Sequence, residues 1–432
     1  MRHLSSSASE STSPQTINHP ELSPGATRTL VFLAVFLAGS LLSWSAQLLF
    51  RGSGLAEYFI DGAGFSDLYT PMSKTTDNAY FAPHYSNYPP LINLLYTIAK
   101  RLLPQTTWTQ GWPSPEDSLG GQLTLILFII VSAVGAYSLV KNRLSDSQAD
   151  VPSGLIACCM VLSGPMLYAI ARGNVVTIAL LLSGVFVFGH QSDRRLTREL
   201  SYLCLALAGA IKIYPLVFGA LLLERRDWQG VAKTALYTAV LMLLPFAVYG
   251  GVPAAIAFLQ NLFMRNGSYF LSHAVGFRGS LQILLGGITG DLVTIPPIAL
   301  PLAILALIAL FFLSRRLWVK TFALCMALIW IPNGSYLYNI AFLILPLTLF
   351  LEECDIPADR WGDKLRSALF GLMLTPWFLP GMSAFNESVA ADGMGSVSWG
   401  MFVVNAAAIF LVASVAVSVV MELHPEGPQE SL

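Results

Sequence analysis

Long apolar runs alternate with short polar segments along most of the chain. A helix needs about 20 apolar residues to cross the hydrocarbon layer of a membrane. Runs close to that length cover residues 29–50, 121–140, 153–171, 174–190, 229–249, 292–313, 366–381 and 398–421. The pattern predicts an all-α, polytopic membrane protein.

Two further apolar runs are long and interrupted near their middles. Residues 200–223 contain Lys212-Ile213-Tyr214-Pro215, and residues 321–351 contain Pro332-Asn333-Gly334-Ser335-Tyr336. Both runs have Lys and Arg near both ends, and these residues collect in cytoplasmic loops. Each run is therefore predicted to enter and leave on one side, as a hairpin of two short helices. With each hairpin counted as two crossings, the chain has about 12 transmembrane helices.

The positive charges also predict an orientation. If both termini are cytoplasmic, about two thirds of the 24 Lys and Arg residues lie on the cytoplasmic side. Residues 1–27 are then a disordered cytoplasmic tail, residues 28–422 the transmembrane domain and residues 423–432 a second cytoplasmic tail. The main extracytoplasmic loops are residues 51–120 and 250–291.

One apolar stretch in the first of these loops is too short to span a membrane. Leu91 to Leu103 covers 13 positions and has Lys100 and Arg101 near its end. Such a stretch is typical of an interfacial helix. Counting it as a crossing would place Lys141 and Arg143 outside, which the charge rule disfavours.

The amino-acid composition indicates which kinds of molecule the protein can bind. Only 11% of the residues are charged and 55% are hydrophobic, whereas about a quarter of an ordinary soluble chain is charged. The net charge of −1 gives no basic excess for nucleic acid. The five cysteines form neither a disulfide framework nor a zinc spacing. Partners are therefore expected in or beside the lipid, and no cofactor or metal is predicted.

Three acids in the first loop are candidate catalytic groups. Asp61, Asp67 and Asp77 lie among Gly, Tyr and Asn residues on the predicted extracytoplasmic side. A carboxylate there can act as a general base for a sugar hydroxyl. The alternative is that these acids are solvated or cap helices, and composition does not rank one above the others.

Several cations are candidates for holding a phosphate. Lys212 alone among Lys and Arg lies deep within an apolar run, which indicates either a functional site or a side chain that snorkels from the hairpin tip. Arg172 and Asn174 lie between two apolar runs, where they alternatively anchor the interface and cap a helix. Arg265 and Arg278 lie in the second loop, where solvation is the alternative.

The order of these motifs resembles the polyprenol-phosphate-sugar-dependent membrane glycosyltransferases of the GT-C superfamily, most closely family 87, also labelled DUF2029. The motifs are Ser66-Asp67-Leu68-Tyr69, Tyr88-Pro89-Pro90-Leu91, Gly173-Asn174, Ala210-Ile211-Lys212-Ile213-Tyr214-Pro215, Arg225-Arg226-Asp227-Trp228 and Pro332 to Tyr336. The resemblance implies inverting transfer of one sugar from a polyprenyl phosphate to an acceptor hydroxyl on the extracytoplasmic face. Asp67 matches the family's base, and Asp61 is the alternative.

The resemblance also implies binding residues and partners. The residues expected to contact the donor are Tyr69, Tyr88, Arg172, Asn174, Lys212, Tyr214, Arg265, Arg278 and Tyr336. The expected partners are a polyprenyl-phosphate sugar of the mannose or arabinofuranose class, a glycolipid or cell-wall glycan acceptor, and the lipid of the plasma membrane.

Two other functions stay open from the sequence. Twelve crossings with broken helices also suit a secondary transporter or flippase. The acidic and aromatic first loop and the scarcity of acids within the apolar runs disfavour transport. A lipid-linked glycan polymerase or ligase is the remaining alternative.

Overall fold

The protein is all-helical throughout the part of the chain that the structure describes. The computed structural model describes residues 23–50, 65–75, 78–81, 86–103, 118–144, 151–264, 271–332, 334–353, 360–390 and 396–423. Within these residues the only extended pairings are two isolated bridges, Ala274 with Tyr336 and Gly381 with Ser398.

Eighteen α-helices and four 3₁₀ helices follow one another in the described ranges. The α-helices are α1 (Pro24–Phe50), α2 (Ser66–Lys74), α3 (Pro90–Leu102), α4 (Leu119–Leu144), α5 (Ser153–Val161), α6 (Gly164–Ala171), α7 (Val176–Gly189), α8 (Arg195–Ile211), α9 (Ala220–Glu224), α10 (Trp228–Leu243), α11 (Val252–Met264), α12 (Phe277–Thr289), α13 (Ala299–Leu313), α14 (Leu317–Trp330), α15 (Ile344–Glu352), α16 (Arg360–Leu374), α17 (Ser383–Ala390) and α18 (Trp399–Leu423). The 3₁₀ helices are Tyr214–Gly219, Leu244–Tyr249, Leu271–His273 and Leu337–Leu343.

Within the described ranges, four helical segments are long and apolar enough to cross a membrane by themselves. They are α1, α4, α18, and α10 continued by its 3₁₀ extension to Tyr249. Helices α5 and α6 are together long and apolar enough for a fifth, with a bend of 51° between them. The break falls at Leu162-Ser163, just before Pro165, which lacks the N–H that would continue the helix. Lipid offers no partners for backbone groups, so such apolar helices identify a membrane protein.

The first interrupted run folds back on itself at Lys212. Gly209 of α8 faces Leu216, and Gly219 lies against Leu205. Further from the turn, the hydroxyl of Tyr202 donates to Oδ2 of Asp227 at 2.6 Å. These pairs are antiparallel, so α8 and the segment through α9 form a hairpin, as the charge pattern predicts.

The second interrupted run reverses in the same way. The thiol of Cys325 in α14 donates to the carbonyl of Phe342 at 3.4 Å. The indole N–H of Trp318 donates to Oε2 of Glu353 at 2.9 Å. Helix α14 and the segment through α15 are therefore antiparallel, with their turn between Ile331 and Tyr336.

The two hairpins lie side by side with their tips together. Near the tips, the hydroxyl of Tyr214 donates to Oδ1 of Asn339 at 3.1 Å. At their bases, Nζ of Lys320 donates to Oε1 of Glu224 at 2.6 Å. We call the side of the bundle that holds Lys212 and Tyr336 the tip end.

The opposite side, the charged end, holds a network of buried and half-buried ions. Arg28 at the start of α1 pairs with Asp363 at 2.7 Å. Nε of Arg316 lies 2.7 Å from Oε1 of Glu422 near the end of α18. The first and last described helices therefore begin and end at the same side of the bundle.

Three predicted boundaries can be compared with the helices. The stretch Leu91 to Leu103 forms α3, which confirms the predicted helix. The run 292–313 becomes helical only at Ala299, because Pro296 and Pro297 precede it. The run 366–381 is displaced, since α16 covers Arg360–Leu374 and Asp363 in its first turn is buried in the ion network.

Candidate active site

The start of α2 is fixed to the loop between α6 and α7. The N–H of Phe65 donates to the carbonyl of Ala171 at 2.8 Å, and that of Asp67 to Arg172 at 2.9 Å. Gly173 has a φ of +67°, and a Cβ there would lie 2.7 Å from Cβ of Leu68. Only glycine permits both this backbone conformation and this close approach.

Asp67 is the centre of a polar cluster at the tip end. Its Oδ2 accepts from Nε of Arg172 at 3.0 Å, and its Oδ1 accepts from Nη2 at 2.9 Å. Nδ2 of Asn174 also donates to Oδ2, at 2.8 Å. Since a carboxylate oxygen has two lone pairs, Oδ1 keeps capacity for one more donor. The carboxylate is 20% exposed, so a hydroxyl can be presented to it.

Asn174 holds the carboxylate and begins a helix with the same side chain. Its Oδ1 accepts from the N–H of Val176 at 3.0 Å, at the start of α7. This bond fixes the amide so that its NH₂ group faces Asp67. The capping role and the site role predicted for Asn174 are therefore compatible.

Arg172 keeps its charge despite being partly buried. Burial alone lowers the pKa of its guanidinium, but the hydrogen bonds and negative charge of Asp67 outweigh this and raise the pKa above its ordinary value. The guanidinium carbon also lies 5.8 Å from the ring centroid of Tyr168. Arg172 thus brings a permanent positive charge next to the carboxylate.

Lys212 lies at the turn of the first hairpin, beside an aromatic ring of the first loop. Its Nζ is 4.7 Å from the ring centroid of Tyr88, a cation–π contact. Tyr88 in turn makes an edge contact with Tyr96 of α3, with centroids 6.0 Å apart. The negative charge of Asp67 also interacts electrostatically with Lys212.

Aromatic rings from the second hairpin complete the cluster. The rings of Tyr338 and Tyr168 are nearly parallel, with centroids 6.1 Å apart. Tyr336 meets Tyr338 edge-on at 6.0 Å. The hydrogen bond from Tyr214 to Asn339 joins these rings to the first hairpin. Residues more than 100 positions apart therefore meet at one site.

Of the predicted site residues, the structure brings together Asp67, Tyr88, Arg172, Asn174, Lys212, Tyr214 and Tyr336 at the tip end. Tyr69 is buried, and its hydroxyl donates to the carbonyl of Gly121 at 2.9 Å, which fastens α2 to α4. Arg278 is exposed near the start of α12. Asp61 and Arg265 lie outside the described residues.

His273 belongs to the cluster, although it is not among the site residues that the sequence predicts. Its ring stacks on Tyr168 with centroids 4.8 Å apart. Within the described residues no group of three His, Cys, Asp or Glu side chains is arranged for a metal ion. A single histidine in a loop carries no periodic or spacing signal, so only the folded structure identifies it.

A protein-family profile matches the part of the chain that contains most of these site residues. The profile of glycosyltransferase family 87 matches residues 88–333, which is more than half of the 432 residues. The match includes Tyr88, Arg172, Asn174 and Lys212, and begins after Asp67. Among curated proteins no match is found. With the first hairpin and the first arm of the second inside the matched range, the chain belongs to glycosyltransferase family 87.

Proposed function

We propose that this glycosyltransferase moves one sugar, with inversion, from a polyprenyl phosphate to a hydroxyl of a glycolipid or cell-wall glycan. The observation that carries the proposal is a partly exposed carboxylate, Asp67, held by Arg172 within electrostatic reach of Lys212 at the joined hairpin tips. A lipid-linked donor explains why the site is built on membrane helices.

The reaction needs one base and a stabilised leaving group. Oδ1 of Asp67 takes the proton of the acceptor hydroxyl as its oxygen attacks the anomeric carbon. The bond from that carbon to the phosphate oxygen breaks, and the polyprenyl phosphate leaves with the electron pair. Cationic groups stabilise the negative charge that develops on the phosphate, and Lys212 is placed to do so.

The transferred sugar is of the mannose or arabinofuranose class in this proposal. Purified protein is incubated with radiolabelled polyprenyl phosphomannose or polyprenyl phosphoarabinofuranose and a membrane lipid extract. Transfer of label to a new glycolipid or glycan supports the proposal. Absence of transfer from both donors, with transport of either donor in proteoliposomes, would instead favour the transporter or flippase function.

The site faces the extracytoplasmic side of the plasma membrane in this proposal. The helices cross the membrane 12 times in this proposal, with each hairpin counted as two, and the antiparallel contacts within the two hairpins support that count. Basic side chains concentrate at the charged end, which supports a cytoplasmic position for that end and for both termini.

Cysteine labelling tests this orientation. Asp193, between α7 and α8, and Asp291, after α12, are exposed at opposite ends of the bundle. In intact cells, an impermeant thiol reagent is expected to modify Asp291→Cys and to leave Asp193→Cys unmodified until the membrane is opened. The reverse labelling pattern would invert the proposed topology.

Loss of the Lys212 charge is expected to weaken donor binding. Lys212→Met keeps the length and apolar contacts of the side chain but removes its attraction to a phosphate. The apparent KM for the donor should rise by about tenfold or more, with the protein still monodisperse in detergent. Arg278→Met, a cation removed from an exposed position, is the matched control. Unchanged donor kinetics in Lys212→Met would favour the snorkelling interpretation.

A further inference from the structure

His273 has a polar atom that no group in the described part of the chain satisfies. Its Nδ1 lies 3.2 Å from Oγ of Ser272, whereas Nε2 is buried and has no hydrogen-bond partner among the described residues. A buried polar group left without a partner has a free-energy cost in the folded protein. A histidine that serves only to fill space would leave this cost in place.

The backbone around His273 is held in one position. The N–H of Val275 donates to the carbonyl of Ser335 at 2.9 Å. Nδ2 of Asn405 in α18 donates to the carbonyl of Ala274 at 3.2 Å. Leu271, at the start of the same 3₁₀ helix, is fully buried. Such anchoring is what a binding side chain needs to keep its orientation.

The imidazole lies among the residues of the proposed active site. Its ring stacks on Tyr168, over which the guanidinium of Arg172 also lies, and Arg172 is paired with Asp67. The same tyrosine is nearly parallel to Tyr338 of the second hairpin. The ring of Tyr168 therefore contacts both the imidazole of His273 and Arg172, one of the groups proposed to hold and activate the substrates.

We propose that Nε2 of His273 hydrogen-bonds a hydroxyl of the transferred sugar and so contributes to the selection of the donor. This inference rests on the proposed function, because it supposes a sugar carried to Asp67 and Arg172. It adds a specificity residue that lies outside the acidic, lysine and tyrosine motifs.

The charge state of the ring suits a hydroxyl better than a phosphate. Burial, together with the positive charge of Arg172, lowers the pKa of His273 to about 4. The imidazole is consequently neutral at physiological pH, and a neutral ring nitrogen either donates to or accepts from a hydroxyl. A phosphate is better served by the positive charges of arginine and lysine.

The test compares binding of a sugar-bearing lipid with binding of the bare carrier. Affinities for short-chain polyprenyl phosphomannose, polyprenyl phosphoarabinofuranose and polyprenyl phosphate are measured by calorimetry in detergent. The variants are His273→Phe, which keeps a ring for Tyr168, His273→Gln, whose amide lies near the position of Nε2, and His273→Asn, whose amide lies near that of Nδ1.

In the expected result, wild-type protein binds one sugar-bearing lipid more tightly than polyprenyl phosphate. His273→Phe and His273→Asn bind that lipid about three- to tenfold more weakly. Both variants bind polyprenyl phosphate as the wild type does. His273→Gln recovers part of the lost affinity for the sugar-bearing lipid. Equal weakening for both lipids would show a structural role and overturn the inference.

Two further outcomes distinguish a failure of this inference from a failure of the proposed function. If wild-type protein prefers a sugar-bearing lipid and all three variants keep that preference, the role of His273 is overturned while the proposed function stands. If wild-type protein binds both sugar-bearing lipids no better than polyprenyl phosphate, the proposed donor class and the role of His273 are overturned together.

Discussion

Asp67→Asn is expected to lower turnover by about 10²–10⁴-fold, the usual contribution of a general base. Asparagine is nearly the same size and still accepts a hydrogen bond from Arg172, but it cannot take up the proton of the acceptor hydroxyl. Donor affinity should change much less than turnover, because the proposed phosphate contact of Lys212 remains. Initial rates at saturating donor, together with a binding isotherm for the donor, measure the two effects separately.

The neighbouring acids provide matched controls for this prediction. Asp61 and Asp77 share the first loop and lie outside the described residues. Asp77→Asn is expected to leave turnover within a fewfold of wild type. If Asp67→Asn stays active and Asp61→Asn does not, Asp61 is the base and the Asp67–Arg172 pair only fixes the loop.

Asp363→Asn is expected to lower the free energy of unfolding by about 3–5 kcal/mol, the usual cost of removing one partner from a buried ion pair. Asp363 accepts from Arg28 and Arg366, both at 2.7 Å. Both guanidinium groups are almost fully buried, at 2% and 1% exposure. Neutralising the acid therefore leaves two buried positive charges next to each other. Unfolding titrations with sodium dodecyl sulfate in mixed micelles measure the loss.

Glu199→Gln is the control for this stability prediction. Glu199 pairs with Lys233 between α8 and α10, where both side chains are about a quarter exposed. Such pairs contribute about 1 kcal/mol or less. A loss in Asp363→Asn no greater than that in Glu199→Gln would mean that water reaches the charged end and screens the network.

The hairpins could be predicted because local sequence determines them. A lysine and a proline interrupt the first apolar run, and Pro332-Asn333-Gly334 interrupts the second, while positive charge at both ends places the ends on one side. The antiparallel contacts of Gly209 and Cys325 confirm both turns. The start of α16 was not predictable, because hydropathy counts Asp363 as exposed, whereas Arg28, from a helix more than 300 positions away, pairs with it.

The site was predictable as a set of residues but not as an arrangement. The motifs indicated Asp67, Arg172, Asn174 and Lys212 separately. That Arg172 and Asn174 bond the same carboxylate depends on how α2 packs against a loop about 100 residues later. His273 was missed for the same reason, since its burial and stacking on Tyr168 come entirely from tertiary contacts.

The bond between Tyr214 and Asn339 joins parts of the chain that a ribosome makes at different times. A nascent chain that has inserted only the first hairpin already has Asp67, Arg172 and Lys212 but lacks the rings of Tyr336 and Tyr338. Its tip end can be completed only after the second hairpin has entered the membrane. A chain whose synthesis stops before residue 336 is therefore expected to insert without forming the complete site, so that sugar transfer waits for nearly the whole protein to be made.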